Sequence, residues 1–323
     1  MISTDLTREQ FIALADYFEF VPYDVTRNEL YNAEALYSGY NPKQPETIAN
    51  CYDTQVYEYY MKTGKHAFSA KESLARSLHD FGINRGLSNF LEGYDLKRIV
   101  GIMGGHGLLR TDPMYREIVL VSKRLTEEGF LMISGGGPGA MEATHLGAWL
   151  AGYSSADVEA VLHRISIAPT FRDEGWLSSA FLVMRDYPQT RYRSLGIPTW
   201  LYGHEPSTPF ATHIAKYFEN AIREDNILTL AFGGIIYSPG SAGTMQEIFQ
   251  DAVQNHYLSY GIASPMIFLG TQFWNYDMPI YPLLKHLVKK GKYKNLLLSL
   301  TDSNEEIIQT LLDFRNSHNN DKK

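Results

Sequence analysis

Short apolar runs alternate with amphipathic stretches along most of the chain from about residue 97 onward. Each apolar run has the length of a buried strand, and the runs lie at 98–105, 130–134, 164–168, 196–203, 233–238, 265–270 and 295–300. The spacing between them predicts helices at 112–129, 135–152, 208–225, 242–257, 281–291 and 303–314. Strands that alternate with helices predict an α/β fold, with a doubly wound parallel sheet and helices on both of its faces.

The first 95 residues have a different pattern, with helical spacing and few strand-like runs. "TREQFIALADYF" and "AKESLARSLHDFGI" place apolar residues at the intervals of an amphipathic helix. We therefore predict a mainly helical, aromatic-rich N-terminal extension at 1–95, an α/β domain at 96–316 and a polar tail at 317–323.

Composition and charge narrow the class of protein. The chain has 323 residues, 44% of them hydrophobic, which is enough for a sizeable core, and its formal net charge is −7. A general nucleic-acid interface is not expected, because phosphate backbones require a basic face. With the single cysteine Cys51, no signal-peptide pattern at the start and no apolar run of membrane-spanning length, we expect a cytoplasmic protein without a membrane partner.

Three glycine-rich turns follow predicted strands. We name them the first turn (104–107, "GGHG"), the second turn (134–142, "SGGGPGAME") and the third turn (238–247, "SPGSAGTMQE"). In an open parallel sheet, ligands bind beyond the carboxyl ends of the strands, and a helix that starts there offers free N–H groups to a phosphate. The candidate phosphate-binding residues are Gly104, Gly105, Gly135, Gly136, Gly137, Gly139, Gly240, Ser241, Gly243 and Thr244.

Each turn also has a purely structural interpretation. A glycine-rich connection is often only tight, and neither the G-x-G-x-x-G dinucleotide fingerprint nor the G-x-x-x-x-G-K-[ST] loop is present. Glu247 fits a capping box with Thr244, and Glu142 is placed to complement a helix dipole. We see no metal-ligand spacing, and the scattered histidines His106, His145, His204 and His213 are expected to be structural or to line a pocket.

The second and third turns together resemble the LONELY GUY (LOG) family, whose members were long labelled lysine decarboxylases. The hallmarks "GGGxxGxM" and "PGGxGTxxE" of the family correspond to "GGGPGAME" at 135–142 and "PGSAGTMQE" at 239–247, and the resemblance covers about residues 97–314. It implies a Rossmann-like fold, a homodimer or larger homo-oligomer, and hydrolysis of the N-glycosidic bond of a nucleoside 5'-monophosphate without metal or cofactor.

The resemblance also assigns residue roles. It implies an arginine about two dozen positions before Glu247, which matches Arg223; Arg191 and Arg193 are weaker matches. Without the resemblance, Arg223 is also interpretable as a surface charge paired with Glu219. We expect Glu247 to stabilise positive charge on the ribose or to activate water, Arg223 to hold phosphate or sugar, and the turn amides to bind the phosphate, with Glu142 assisting at the sugar.

Two departures from the family pattern leave the preferred base open. Ser241 replaces the second glycine of the hallmark "PGGxGTxxE", and the stretch 152–210 is longer and less regular than in short members. The alternative functions are a protein that binds a nucleotide or a phosphorylated cofactor without catalysis and, less favoured because the fingerprint is absent, an NAD-linked oxidoreductase.

Overall fold

The apolar runs form one seven-stranded sheet in the computed structural model, which describes residues 7–317. The strands are β1 (Ile99–Met103), β2 (Leu131–Ser134), β3 (Ser194–Gly196), β4 (His213–Ile214), β5 (Gly234–Tyr237), β6 (Pro265–Leu269) and β7 (Leu297–Thr301). All neighbouring strands are parallel, in the order β4-β3-β2-β1-β5-β6-β7. In the register at the sheet centre, Val100 of β1 lies opposite Met132 of β2 and Gly234 of β5.

Twelve α-helices accompany the sheet within residues 7–317. They are α1 (Arg8–Tyr17), α2 (Ala33–Leu36), α3 (Tyr52–Thr63), α4 (Ala70–Leu91), α5 (Pro113–Glu127), α6 (Ala140–Trp149), α7 (Ser155–Ile165), α8 (Gly175–Asp186), α9 (Asn220–Leu230), α10 (Ala242–Tyr257), α11 (Ile280–Lys289) and α12 (Asn304–Ser317). Short 3-10 turns occupy Pro45–Asn50, Leu96–Arg98 and Trp200–Tyr202, and a π-helical turn occupies Phe273–Asp277.

The hydrophobic core has one part on each face of the sheet. Alternate residues of β1 point in opposite directions, so that Val100 and Ile102 pack with α5, α6, α7 and α12, whereas Ile99 and Met103 face α9, α10 and the N-terminal extension. The predicted doubly wound α/β fold with helices on both faces is confirmed.

The direction of winding reverses at the centre of the sheet. From β1 the chain adds β2, β3 and β4 on one side, and then crosses to add β5, β6 and β7 on the other. The connections that leave β1 and β5 therefore diverge, and a crevice opens beyond the carboxyl ends of these two strands.

The N-terminal extension is mainly helical, as predicted, and packs onto the sheet. Buried residues such as Tyr31, Val56 and Tyr60 belong to the same hydrophobic cluster as Ile99 and Leu195 of the strands. Tyr31 also forms an isolated antiparallel bridge to Ile214 of the edge strand β4. This backbone contact covers part of an edge that would otherwise expose unpaired N–H and C=O groups.

Three of the sequence-based element predictions are wrong. The segment 164–168 is not a strand, because helix α7 continues to Ile165 from a capping box formed by Ser154 and Asp157. Residues 196–203 hold only the last residue of β3 and a 3-10 turn. The segment 208–219 is largely extended and includes β4, so α9 begins only at Asn220 rather than at Thr208.

None of the helices within residues 7–317 combines the length and the hydropathy needed to cross a membrane.

Candidate functional site

A cleft of about 360 Å³ opens at the point where the sheet reverses its winding. The residues that line it come from the first turn, the start of α6, the 3-10 turn after β3, α9 and the start of α10. They are Gly104, Gly105, His106, Met141, Tyr202, Glu205, Arg223, Glu224, Ser241, Ala242, Gly243, Thr244, Gln246 and Glu247.

Two larger cavities lie elsewhere and lack this chemistry. One of about 530 Å³ lies between α4 and the start of α9, and another of about 770 Å³ lies near Lys97 and Ala263, at the amino ends of the central strands. Neither cavity is lined by a glycine turn at a strand's carboxyl end, where open α/β sheets bind ligands. We therefore take the smaller cleft as the candidate site.

Seven of the residues predicted from sequence meet in this cleft: Gly104, Gly105, Arg223, Ser241, Gly243, Thr244 and Glu247. The first and third turns lie side by side because β1 and β5 pair directly. Their contact is close: the Gly105 amide donates to the Pro239 carbonyl at 3.1 Å. Gly240 lies beneath this surface, where a Cβ would collide with the Thr244 hydroxyl.

The glycines of the second turn do not line the cleft, which this turn reaches only through Met141. Gly135, Gly136, Gly137 and Gly139 are all buried. Met141 and the Arg223 guanidinium cover Gly135, and the Gly136 amide donates to the Ser134 hydroxyl at 3.1 Å. These glycines therefore have packing roles in the structure, and their predicted contact with a phosphate stays a prediction.

Gly139 shows why the second turn needs glycine. Its φ is +68°, and a Cβ there would collide with the backbone carbonyl groups of Gly105 and His106. A side chain at this position would be strained by both the conformation and the clash. The close contact holds the first turn against the start of α6, so the second turn supports the cleft from below.

Ser241 fits its place without strain although the resembling family has glycine there. Its φ is −120°, a value that residues with a Cβ adopt readily, and its side chain is exposed. Helix α10 begins at the next residue, and the Ser241 hydroxyl makes no capping bond. Because the helix starts at Ala242, the predicted capping box between Thr244 and Glu247 is wrong.

The Glu247 carboxylate faces the cleft from the second turn of α10 and is partly buried. Burial raises its pKa to about 7, an effect that nearby Arg223 opposes and Glu224 reinforces. Within the described residues, no hydrogen bond to this carboxylate is present. The group is therefore free to interact with a ligand, and it changes charge near neutral pH.

Arg223 is held in the cleft by a backbone hydrogen bond and by a longer ion pair with the adjacent Glu224. Its Nε donates to the Ile197 carbonyl at 3.1 Å, and its Nη1 lies 3.8 Å from Glu224 Oε1. The alternative pairing with Glu219 is not formed, since the Glu219 side chain instead caps the start of α9. The guanidinium thus lies beside Gly135, and its charge acts on Glu247.

Glu142 lies outside the cleft, contrary to the prediction that it assists at the sugar. It is fully buried, and its carboxylate accepts hydrogen bonds from Arg110 Nη2 at 2.5 Å, from Arg110 Nε at 3.0 Å and from the Tyr115 hydroxyl at 3.0 Å. Arg110 also donates to Ser179 and so ties α8 to this ion pair. Glu142 therefore has no access to the cleft and stabilises the fold.

The structure separates the four histidines singled out from the sequence. His106 lines the cleft, and His204 lies beside Glu205 at the rim. His145 is buried between the hydroxyl groups of Ser134 and Ser194, and burial lowers its pKa to about 3. His213 lies in β4, where burial and then Arg193 lower its pKa to about 4. The last two are neutral structural residues.

Several cleft residues were not predicted from sequence. Tyr202 and Glu205 come from the irregular segment after β3, and Glu224 and Gln246 flank the two predicted functional residues. No motif marks the segment 197–208, because long-range contacts rather than local periodicity shape it.

The N-terminal extension holds this segment in place. Asp53 of α3 accepts from Trp200 Nε1 at 2.9 Å and from Lys216 Nζ at 2.8 Å, with both charged groups buried. Lys216 also donates to the Ser207 hydroxyl at 3.0 Å. Tyr57 of the same helix packs so closely under Gly203 that a Cβ there would clash with its ring. The extension thus builds one wall of the cleft from behind.

Within residues 7–317, no group of three or more histidine, cysteine, aspartate or glutamate side chains is arranged to hold a metal ion. The groups that the cleft offers a ligand are hydroxyls, carboxylates, the guanidinium of Arg223, the imidazole of His106, the carboxamide of Gln246 and the amides at the start of α10.

Comparisons with known proteins give a likeness of fold. No protein-family profile and no curated protein matches the chain. Among solved structures, the structural-genomics target TM1055 is similar at 19% identity and a TM-score of 0.43, over 67% of this chain and 98% of that one. The molybdenum cofactor binding protein from the phototrophic bacterium Rippkaea orientalis is similar at 15% identity and a TM-score of 0.40, over 66% and 96%.

Proposed function

We propose that this protein hydrolyses the N-glycosidic bond of a nucleoside 5'-monophosphate and releases the base and ribose 5-phosphate. The observation that carries the proposal is that Arg223, Glu247 and the open start of α10 share one cleft at the reversal point of the sheet. The resemblance of the second and third turns to the LOG family supports the same reaction.

The start of α10 is the binding place for the 5'-phosphate. Ala242, Gly243 and Thr244 form its first turn, where the backbone N–H groups have no partner among the described residues. The space above Gly243 is open, since a Cβ there would meet nothing within 4 Å. Free N–H groups and the positive end of the helix dipole stabilise a phosphate, and Arg223 adds a full positive charge nearby.

Glu247 lies one helical turn beyond this phosphate position, where the ribose would follow. As the C1'–N bond breaks, its electron pair leaves with the base and positive charge grows on the sugar ring. The ionised Glu247 carboxylate stabilises that charge and orients water for attack at C1'. The oxygen of the water bonds to C1' and keeps one proton as the new hydroxyl of ribose 5-phosphate, and the other proton passes to the departing base.

The test is to incubate the purified chain with a panel of nucleoside 5'-monophosphates and to measure the free base by chromatography. We expect release from at least one nucleotide, release slower by about a hundredfold or more after Glu247→Gln, and a clear loss of activity after Arg223→Ala. Tight binding of a nucleotide without base release would instead indicate a binding protein of the same fold. The expected homodimer remains a prediction, to be checked by analytical ultracentrifugation.

A further inference from the structure

Glu205 is a carboxylate that the fold presents to the cleft without a strong partner. Its side chain is 15% exposed, and two imidazole nitrogens, His106 Nδ1 and His204 Nε2, lie 3.6 and 3.7 Å from its Oε1. Both distances exceed a normal hydrogen bond. No hydrogen bond to this carboxylate from another described side chain or amide is present. A largely desolvated acid without donors is unfavourable, so a ligand with N–H groups would satisfy it.

The groups around Glu205 suit a planar ligand. Tyr202 is 43% exposed on the same loop, and His106 faces Glu205 from the first turn, with Phe171 behind its ring at 6.4 Å between centroids. Exposed aromatic faces of this kind stack on nucleobases. The start of α10, where we place the phosphate, and Glu247 line the same cleft.

Glu205 also excludes the phosphate from its own side. Its Oε2 lies 3.8 Å from the position that a Cβ of Gly137 would occupy, which places a negative charge beside the second turn. A phosphate at that turn would be repelled by this carboxylate. The phosphate is therefore directed to α10, and the base is directed to Glu205.

We propose that Glu205 is the residue that selects the base, and that the base it selects is guanine; this inference rests on the proposed function. The two oxygens of a carboxylate accept from two adjacent donors, and guanine presents its ring N1–H next to its 2-amino group. Adenine and cytosine place a ring nitrogen acceptor beside their amino group, and uracil flanks its N–H with carbonyl oxygens. Each of those three edges would set a lone pair against the carboxylate.

The substitution Glu205→Gln separates this role from a general contribution of charge. A carboxamide offers one acceptor and one donor, and that pair matches the amino group and adjacent ring nitrogen of adenine. We therefore expect the wild-type chain to bind GMP at least about tenfold more tightly than AMP, which is near the low end of the discrimination known for bidentate base contacts. In the variant, the preference should move toward AMP by a similar factor.

The experiment is isothermal titration calorimetry of the full chain with GMP, AMP and ribose 5-phosphate, at pH 8. Ribose 5-phosphate lacks a base, so its affinity should be the same in wild type and Glu205→Gln. The matched control is Glu92→Gln, an exposed acid at the end of α4, which should leave all three affinities unchanged.

The outcomes distinguish the two proposals. An unchanged ratio of GMP to AMP affinity in Glu205→Gln, or no preference for GMP in the wild type, would overturn the role of Glu205. If the preference moves from GMP toward AMP in Glu205→Gln but no base is released, Glu205 selects the base and the proposed hydrolase activity is wrong. If base is released but GMP and AMP bind equally well, the proposed hydrolase activity stands and the role of Glu205 is wrong.

Discussion

Glu247→Gln tests whether the ionised Glu247 carboxylate, whose pKa burial raises, is required for bond cleavage. Burial raises the pKa of Glu247 to about 7 from an ordinary value near 4.5. This difference means that ionising the carboxyl in the folded protein costs roughly 3 kcal/mol more free energy than ionising it in water. The ionised form is needed beside a developing positive charge, so kcat/KM should rise with pH and level off above about pH 7. The glutamine variant should lose about a hundredfold or more in kcat, the scale typical of removing a transition-state charge contact.

The same substitution should act on stability in the opposite direction. A carboxyl whose pKa is higher in the folded than in the unfolded state binds more protons when folded, so stability falls as pH rises from about 4.5 to about 7. Above pH 7 the ionised Glu247 lowers the free energy of unfolding by up to roughly 3 kcal/mol. Glu247→Gln should therefore be more stable than wild type at pH 8 and nearly equal to it at pH 4.5, measured by urea denaturation.

Asp251 supplies the control, because it is an acid on the same helix that does not line the cleft. It is fully buried, burial raises its pKa to about 7, and the Tyr237 hydroxyl donates to it at 2.7 Å. Asp251→Asn should leave unchanged the acidic limb of the pH profile, which is the fall in kcat/KM below about pH 7. The reasoning is refuted if that limb disappears in Asp251→Asn, or if Glu247→Gln retains wild-type turnover.

Three further substitutions test the surrounding structure. Arg223→Ala removes the charge that lowers the pKa of Glu247, so the acidic limb of kcat/KM should move to higher pH and activity should fall; an unmoved limb would contradict the coupling. Gly139→Ala forces a Cβ onto a position with φ of +68° and against the carbonyl groups of the first turn, and thermal denaturation should show a loss of at least about 1–3 kcal/mol. Asp53→Ala leaves the buried Lys216 ammonium unpaired and should cost about 3–5 kcal/mol, read from urea midpoints; an unchanged midpoint would contradict this.

Local sequence determined much of the fold. β1, β5 and β6 are short apolar runs next to glycine or proline, and their type and place followed from that pattern. Helix α10 begins at Ala242 and ends at Tyr257 as predicted. Two of its core positions, Ile248 and Ala252, are buried within the chain, whereas Tyr257 is 72% exposed.

Residues 208–219 show where local reasoning failed. Thr208 followed by a proline has the pattern of a helix start, yet the chain continues extended and pairs with β3 and with Tyr31. Buried contacts with the extension, such as the ion pair of Lys216 with Asp53, override the local preference. These partners are about 160 residues apart in sequence, so no short window contains the information.

The sequence by itself determined the alternation of strands and helices and the places of the glycine turns, because each depends on residues close to one another along the chain. The assignment of Arg223 and Glu247 rested on the resemblance to the LOG family. Only the tertiary structure decided that the second turn is buried, that Glu142 serves an ion pair with Arg110, and that Glu205 faces the cleft. The physical reason is that burial and charge pairing depend on which distant segments pack together, and a carboxylate becomes structural or functional according to the donors that this packing places around it.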